Sequence, residues 1–327
     1  MVYLYVKKKG NNKYYYLRKS FRKGKKTFTK EICYIGKNLS KISKEEKTET
    51  IKKNIAKIIS LEKIKKLKIK ENKFFDKNQI TEINAILMNY KKNIGNKGIP
   101  HKKELFENFN LKFITENISI DSIETKYLNQ KEISDLIKNK ITPKKQKIDQ
   151  IYKAINTKKI LEFLKKEKPE INLQTIEKIS QIILNNLSRI TGYRKHNIKI
   201  PGKRFKVSDY KNIKSELKKL ISWYNKNKTK IPSLALVILF HSKFEKIHPL
   251  VDRNGDIGRI LINYQLSQFN YPPIIIPRKN KEEYYKVMNK AYPCLKKDLL
   301  STDMKYYSDL INFMHKQFVK TYWENFV

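Results

Sequence analysis

The sequence has two cysteines in 327 residues, Cys33 and Cys294, far apart and near no histidine pair, which excludes a disulfide framework and a zinc site of familiar spacing. Long apolar runs are missing as well. The best, Ile231 to Phe240, falls short of the roughly 18 to 20 residues of a membrane span and reads as a buried helix, so no membrane partner is expected. The N-terminus, MVYLYVKKKG, lacks the basic region, apolar stretch and cleavage site of a secretory signal, and a cytoplasmic location is expected. Acidic residues are scarce: 31 Asp+Glu face 73 Lys+Arg, a formal net charge of +42. A field of that size attracts polyanions, and nucleic acid is an expected partner on that ground. The lysines are nevertheless spread along the whole chain, so a compositional bias toward lysine, isoleucine and asparagine accounts for the charge equally well. An apolar content of 39% suffices for one sizeable core with one or two small appendages.

Residues 1–38 carry three short apolar and aromatic runs, Val2 to Val6, Tyr14 to Leu17 and Thr27 to Ile35, separated by two Gly-containing turns. That pattern predicts a three-stranded antiparallel meander, basic and rich in tyrosine, with one face to bury and one that a nucleic acid could use. Residues 39–116 read as a helical accessory region. Ser43 and Glu46 form a capping-box pattern ahead of Ile51, Ile55, Ile58, Ile59 and Ile64, and a second periodic stretch runs from Ile80 to Tyr90 before the loop Asn93 to Gly98. From His101 onward the chain is helical almost throughout, punctuated at Thr142-Pro143, Lys168-Pro169 and Ile231-Pro232. One exception is Asn197 to Val207, where Ile198, Ile200, Phe205 and Val207 alternate around Pro201-Gly202 and predict a β-hairpin.

The segment HPLVDRNGDIGR, His248 to Arg259, lies between two apolar helical stretches and so places a short loop at a helix N-terminus. Free backbone N–H groups and the positive helix end make that point a phosphate site, and Gly255 allows close approach of a ligand. Asp252 suits a magnesium ion bridging phosphates, Asn254 can donate to a phosphoryl oxygen, Arg259 can neutralise a distal phosphate, and His248 is the candidate general base. These are the parts of a phosphoryl or nucleotidyl transfer site.

Order and spacing resemble the Fic family motif H-P-F-x-D-G-N-G-R-x-x-R, matched at His248, Pro249, Asp252, Asn254, Gly255 and Arg259, with Leu250 in place of Phe. The resemblance extends over roughly residues 117–315. It implies a mostly α-helical Fic-type bundle with a β-hairpin flap at 197–207, preceded by Ile190 to Arg194, against which a target protein would lie as an added strand. It also implies a core at 146–327 and an inhibitory-helix region at 117–145, in which Glu124 would pair with Arg259 and block the γ-phosphate. The implied activity is transfer of AMP from ATP, with Mg2+, to a Ser, Thr or Tyr hydroxyl of a protein. His248 is then the catalytic base and Asp252 the metal ligand. Arg253, Asn254, Gly255, Gly258 and Arg259 surround the phosphates, and Tyr284 and Tyr285 pack on the base and ribose.

Two positions depart from the motif, Arg253 for Gly and Asp256 for Arg, and Tyr292 stands where relatives carry an Asn. A side chain at 253 costs roughly 1 to 2 kcal/mol if the loop needs positive φ, and Asp256 reverses the sign of an attractive contact. Arg253 could supply the displaced cation, Asp256 could assist the metal, or the site could take another phosphorylated ligand. The site could also have lost catalysis, and the alternative function is therefore a catalytically altered or inactive Fic-fold nucleotide-binding regulator, associated with nucleic acid. A homodimer is compatible with the sequence.

Overall fold

The computed structural model describes residues 2–23, 26–37, 53, 56–57, 60–61, 64, 70–96, 98–121, 127–144, 146–200 and 206–327. The chain divides into two compact units, Met1–Lys97 with Tyr322–Val327, and Gly98–Thr321.

In the first unit, β1 (Val2–Lys9), β2 (Asn12–Lys23) and β3 (Lys26–Lys37) form the expected antiparallel meander in the order β1-β2-β3. Gly10, at φ 56°, makes the left-handed step of the tight turn that pairs Lys9 with Asn12. The period of two is visible in burial: Tyr15 is buried, whereas its neighbours Tyr14 and Tyr16 point to the other face and are half-buried. The Ser43–Glu46 capping pattern lies outside the described residues, but Lys53, Ala56, Lys57, Ser60, Leu61 and Ile64 are helical. Helix α1 (Lys77–Asn96) is opened by a reciprocal cap. Gln79 N–H donates to Asp76 Oδ1 at 2.8 Å and Asp76 N–H donates to Gln79 Oε1 at 3.0 Å.

The second unit begins with α2 (Ile99–Ile120), started by Gly98 and Pro100, followed by the short α3 (Gln130–Ser134) under an Asn129–Glu132 capping box and a single π turn, Asp135–Asn139. Helix α4 (Ile148–Glu167) stops at Lys168, whose φ of 46° and following Pro169 end it where the sequence places a break. Leu111, Ile114 and Ile118 of α2 share a core with Leu128, Ile133, Leu136 and Ala154. Helices α5 (Leu173–Ile183) and α6 (Ile213–Asn227) lead to α7 (Ser233–Ile247). Every residue of α7 from Leu234 to Ile247 is buried, which is the signature of a central helix surrounded by α6, α8 (Asn254–Gln268) and α9 (Lys281–Lys297). Helix α10 (Met304–Asn325) closes the chain, its last turn grouped with the first unit.

The hairpin expected at 197–207 is not seen as strands: the described flanks, 197–200 and 206–207, carry no ladder, and 201–205 lie outside the described residues. The two sides do meet at their base, where Asn197 Nδ2 donates to Asp209 Oδ2 at 2.9 Å and Tyr210 N–H donates to Asn197 Oδ1 at 3.0 Å.

Candidate functional site

Helix α7 ends at His248, which takes a left-handed conformation (φ 49°) and still donates its N–H to Phe244 O at 2.9 Å. The chain then runs extended beside residues 192–194, with Arg194 N–H on Pro249 O and Val251 N–H on Gly192 O, both at 3.1 Å. Leu250 is fully buried and anchors the loop. Asn254 closes it from inside, accepting from Leu250 N–H and donating to Leu250 O, each at 2.9 Å. Arg253 caps α8 at φ 62°, so the strain anticipated for a side chain at this position is present, roughly 1 to 2 kcal/mol.

Arg194 holds this arrangement from below. It is buried, and its guanidinium donates to four backbone carbonyls: His248 O at 2.8 Å, His196 O at 2.9 Å, Ile247 O at 3.2 Å, and Ser208 O. Two of these are orphan acceptors at the end of α7, where the helix dipole is negative and a cation is favoured. Burial lowers the pKa of Arg194, and the charges of Asp209 and Glu216 work against that shift. One side chain thus ties the candidate base, the end of α7 and both flanks of the 197–207 segment together.

At the other end of the loop, Arg259 is buried and held through its Nε and Nη2. Its Nε donates to Asn117 Oδ1 at 2.6 Å, and its Nη2 donates to Asn117 O at 3.1 Å, Asp121 Oδ2 at 2.7 Å and Asp256 Oδ1 at 2.9 Å. Burial disfavours the Arg259 charge, and the Asp121 and Asp256 carboxylates more than reverse this, so its pKa moves up. Asp256 is pushed above the usual carboxylate range, chiefly by burial, with Arg259 opposing the shift and Asp121 adding to it. Arg253 Nη1 reaches Asp256 Oδ2 at 3.5 Å. Asp121 is the residue just past the end of α2. Its carboxylate lies over the start of α8, so close that a Cβ on Gly255 would sit 2.8 Å from Asp121 Oδ2 and 3.0 Å from Arg259 Nη1. Tyr285 donates its hydroxyl to the same carboxylate. A helix N-terminus and a buried arginine, both suited to an anion, are thus covered by the chain's own carboxylate.

Residues 170–266 match the Fic/DOC family. The Fic-type loop described above falls inside that match. Among known proteins, the protein adenylyltransferase fic-1 of Caenorhabditis elegans is 27% identical over 130 residues, 39% of this chain and 26% of that protein. A probable protein adenylyltransferase of Aquifex aeolicus is 32% identical over 100 residues, 31% of this chain and 30% of that protein. The chain therefore matches less than a third of the length of either relative. A solved Fic domain containing signaling protein from Bacteroides thetaiotaomicron superposes with a TM-score of 0.66 at 18% identity, over 74% of this chain and 94% of that one. A Fic family protein from Desulfovibrio desulfuricans gives 0.58 at 18% identity, over 78% and 76%. These likenesses establish a Fic-type fold.

The Fic-type loop carries His248, Asp252, Arg253, Gly255 and Arg259 in one short stretch, whereas the side chain of Asn254, expected to donate to a phosphoryl oxygen, is buried and turned onto the Leu250 backbone. Others stand differently. Gly258 lies inside α8, where a Cβ would meet His241 Nδ1 at 2.8 Å and Glu245 Oε1 at 3.3 Å, so it serves helix packing and not a phosphate. Tyr284 is buried, 2.6 Å from His241 Nε2 through its hydroxyl, and its ring stacks on His241; it is a core residue and not an open platform for a base. Tyr285, half-buried, faces the site through Asp121. Tyr292 is core as well. Glu124 lies outside the described residues; among the described residues the carboxylates on Arg259 are Asp121 and Asp256. Sequence reasoning missed Asp121, Asn117 and the clamping role of Arg194. The four-residue spacing of Asn117 and Asp121 at a helix end was the available signal for the first two.

Proposed function

We propose that this chain transfers a nucleotidyl group, AMP from ATP, to a hydroxyl of a protein, and that Asp121 holds the site closed. The observation that carries this reading is the Asp121 carboxylate on Arg259 and against Gly255, in the place a phosphate would take. Asp121 then does what the resemblance assigned to Glu124: it competes with the distal phosphate for the same guanidinium. Asp252, a single carboxylate with 64% of its side chain exposed at the start of α8, fits a magnesium ion shared with nucleotide phosphates, which would supply charge neutralisation there. In the reaction a Ser, Thr or Tyr oxygen of a target protein lying along residues 197–207 attacks the α-phosphorus. The bond to pyrophosphate breaks, and the hydroxyl proton passes to His248. Arg194 fixes the backbone on which that histidine stands. The loop amides at the start of α8 face the charge that develops.

One observation favours a second reading. With Asp121 displaced, Arg253 and Arg259 still face Asp252 and Asp256, two cations against two carboxylates, so the cradle offers a polyphosphate little net attraction. On that reading the site binds a nucleotide of low distal charge as a regulator. Titration of AMP, ADP and ATP with Mg2+ into the chain and its Asp121→Ala variant separates the two. The transfer reading expects affinity to rise with phosphate number and by roughly 10- to 100-fold in the variant, the worth of one charge-assisted bond. It also expects protein labelling from α-labelled ATP that His248→Ala abolishes. Affinity independent of phosphate number in both proteins, with no labelling, would leave only the second reading.

A further inference from the structure

The exposed face of the N-terminal sheet repeats one chemistry across all three strands. Strand pairing sets Tyr5 opposite Tyr16 and Tyr16 opposite Tyr34, so one row across the sheet is tyrosine on every strand. The next row is Lys7, Tyr14 and Lys37, an aromatic ring flanked by two cations. The rings form a group: Tyr34 lies 5.2 Å from Tyr16 and 6.3 Å from Tyr14 between centroids, and 52% of Tyr34 is exposed. Cations sit on this face too, with the Arg18 guanidinium carbon 3.3 Å from the Tyr5 centroid and Lys37 Nζ 5.8 Å from that of Tyr14. Arg18 is also paired with Glu31 at 3.3 Å, which orients it flat on the sheet.

Cross-strand aromatic pairs stabilise the sheet by themselves, but a half-exposed tyrosine group with lysines at both sides is not explained by a general bias toward lysine. The ring faces accept stacked bases of any sequence, and the flanking cations follow a phosphate backbone. Bases in a duplex are already stacked and out of reach; those of a single strand are not. We propose that Tyr14, Tyr16 and Tyr34 form a stacking platform for single-stranded nucleic acid, with Lys7 and Lys37 on its backbone and the Arg18-covered ring of Tyr5 at its edge.

The test is fluorescence anisotropy of the full chain with a labelled oligodeoxythymidine of about 15 nucleotides, long enough for a site of this kind. A duplex of equal length and unlabelled heparin serve as competitors. Single strand is expected to bind best, and Tyr16→Ala and Tyr34→Ala are each expected to weaken it by roughly 5- to 150-fold, the worth of one stacked base. Tyr34→Phe keeps the ring and should keep the affinity. Lys7→Gln and Lys37→Gln should each lower the salt slope by about one while Lys286→Gln on α9 leaves it unchanged. Heparin or duplex competing as well as single strand would overturn the proposal, as would Tyr34→Ala binding like the parent. Tyr34 is exposed enough that its substitution leaves the fold intact, so it decides the matter even where Tyr16→Ala does not fold.

Discussion

Replacing Arg194 by alanine removes a guanidinium that satisfies the carbonyls of His196, Ile247, His248 and Ser208 at once. A hydrogen bond from a charged donor contributes about 1.5 to 3 kcal/mol, and a buried acceptor left without a partner costs about 1 to 3 kcal/mol. Four such bonds share one side chain and are not additive. Three of them are only part-buried and can be taken over by water, and the cation itself is held in an environment that lowers its pKa. The net loss therefore comes to about 3 to 5 kcal/mol, the range for breaking a buried charged network. Arg194→Lys keeps the charge but presents one nitrogen with three donors, which cannot span acceptors on three segments, and should recover no more than half of the loss. Urea unfolding followed by far-UV circular dichroism measures both variants, and a loss of about 3 kcal/mol should also lower the melting temperature by roughly 6 to 12 °C. An alanine variant within about 0.5 kcal/mol of the parent would refute the clamp. So would a lysine variant as stable as the parent.

Two further substitutions probe the core beneath the site. Lys243 is buried on α7 with Nζ 2.6 Å from Ser301 O and 3.2 Å from Tyr307 Oη, and burial pulls its pKa down to about 7. Its folded pKa lies below the unfolded value of about 10.4, so the folded state gives up its proton first and stability rises with pH between those two values. Lys243→Met should accordingly be more stable than the parent by several kcal/mol near pH 7, and that advantage should shrink toward pH 10; an advantage that is constant with pH would disprove the assignment. Gly258→Ala gains up to about 1 kcal/mol of helix propensity but sets a methyl 2.8 Å from the His241 ring, which Tyr284 holds in place. A net loss of about 1 to 2 kcal/mol in urea unfolding is expected, and a stabilised variant would show that α7 and α8 can part.

The central helices were legible because their signals are local. The apolar run after Pro232 and the polar break from His248 to Arg253 define α7, the loop and α8 with no knowledge of anything distant. The strand meander was equally readable from its turns, and the cost of a side chain at residue 253 was anticipated from the motif alone. What failed depended on how far a helix runs or which way a residue faces. Asp121 was passed over because its place depends on where α2 stops: the helix continues to Ile120, and its end delivers the next residue to Arg259, while Glu124 lies outside the described residues. Tyr284 and Tyr285 are neighbours on α9, about 100° apart around the axis, so one is buried against His241 while the other stays half-buried beside Asp121. Lys243 breaks the assumption that lysine marks a solvated position. Arg194 was visible as part of a stretch, but its role exists only where residues 194, 208 and 248 meet in space.

On the proposed function the Asp121 carboxylate, joined to α2 by a peptide bond, would be an inhibitor that cannot be diluted away. Its effective concentration at Arg259 is set by chain geometry, as for any tethered ligand, and a free anion must outcompete it at every protein concentration. Lowering the total protein or washing the sample leaves it in place. Only a movement of the end of α2, or a partner that captures residues around 121, changes how much of the protein is open. On the proposed function, turnover would follow the mechanical state of one helix end more than the supply of nucleotide.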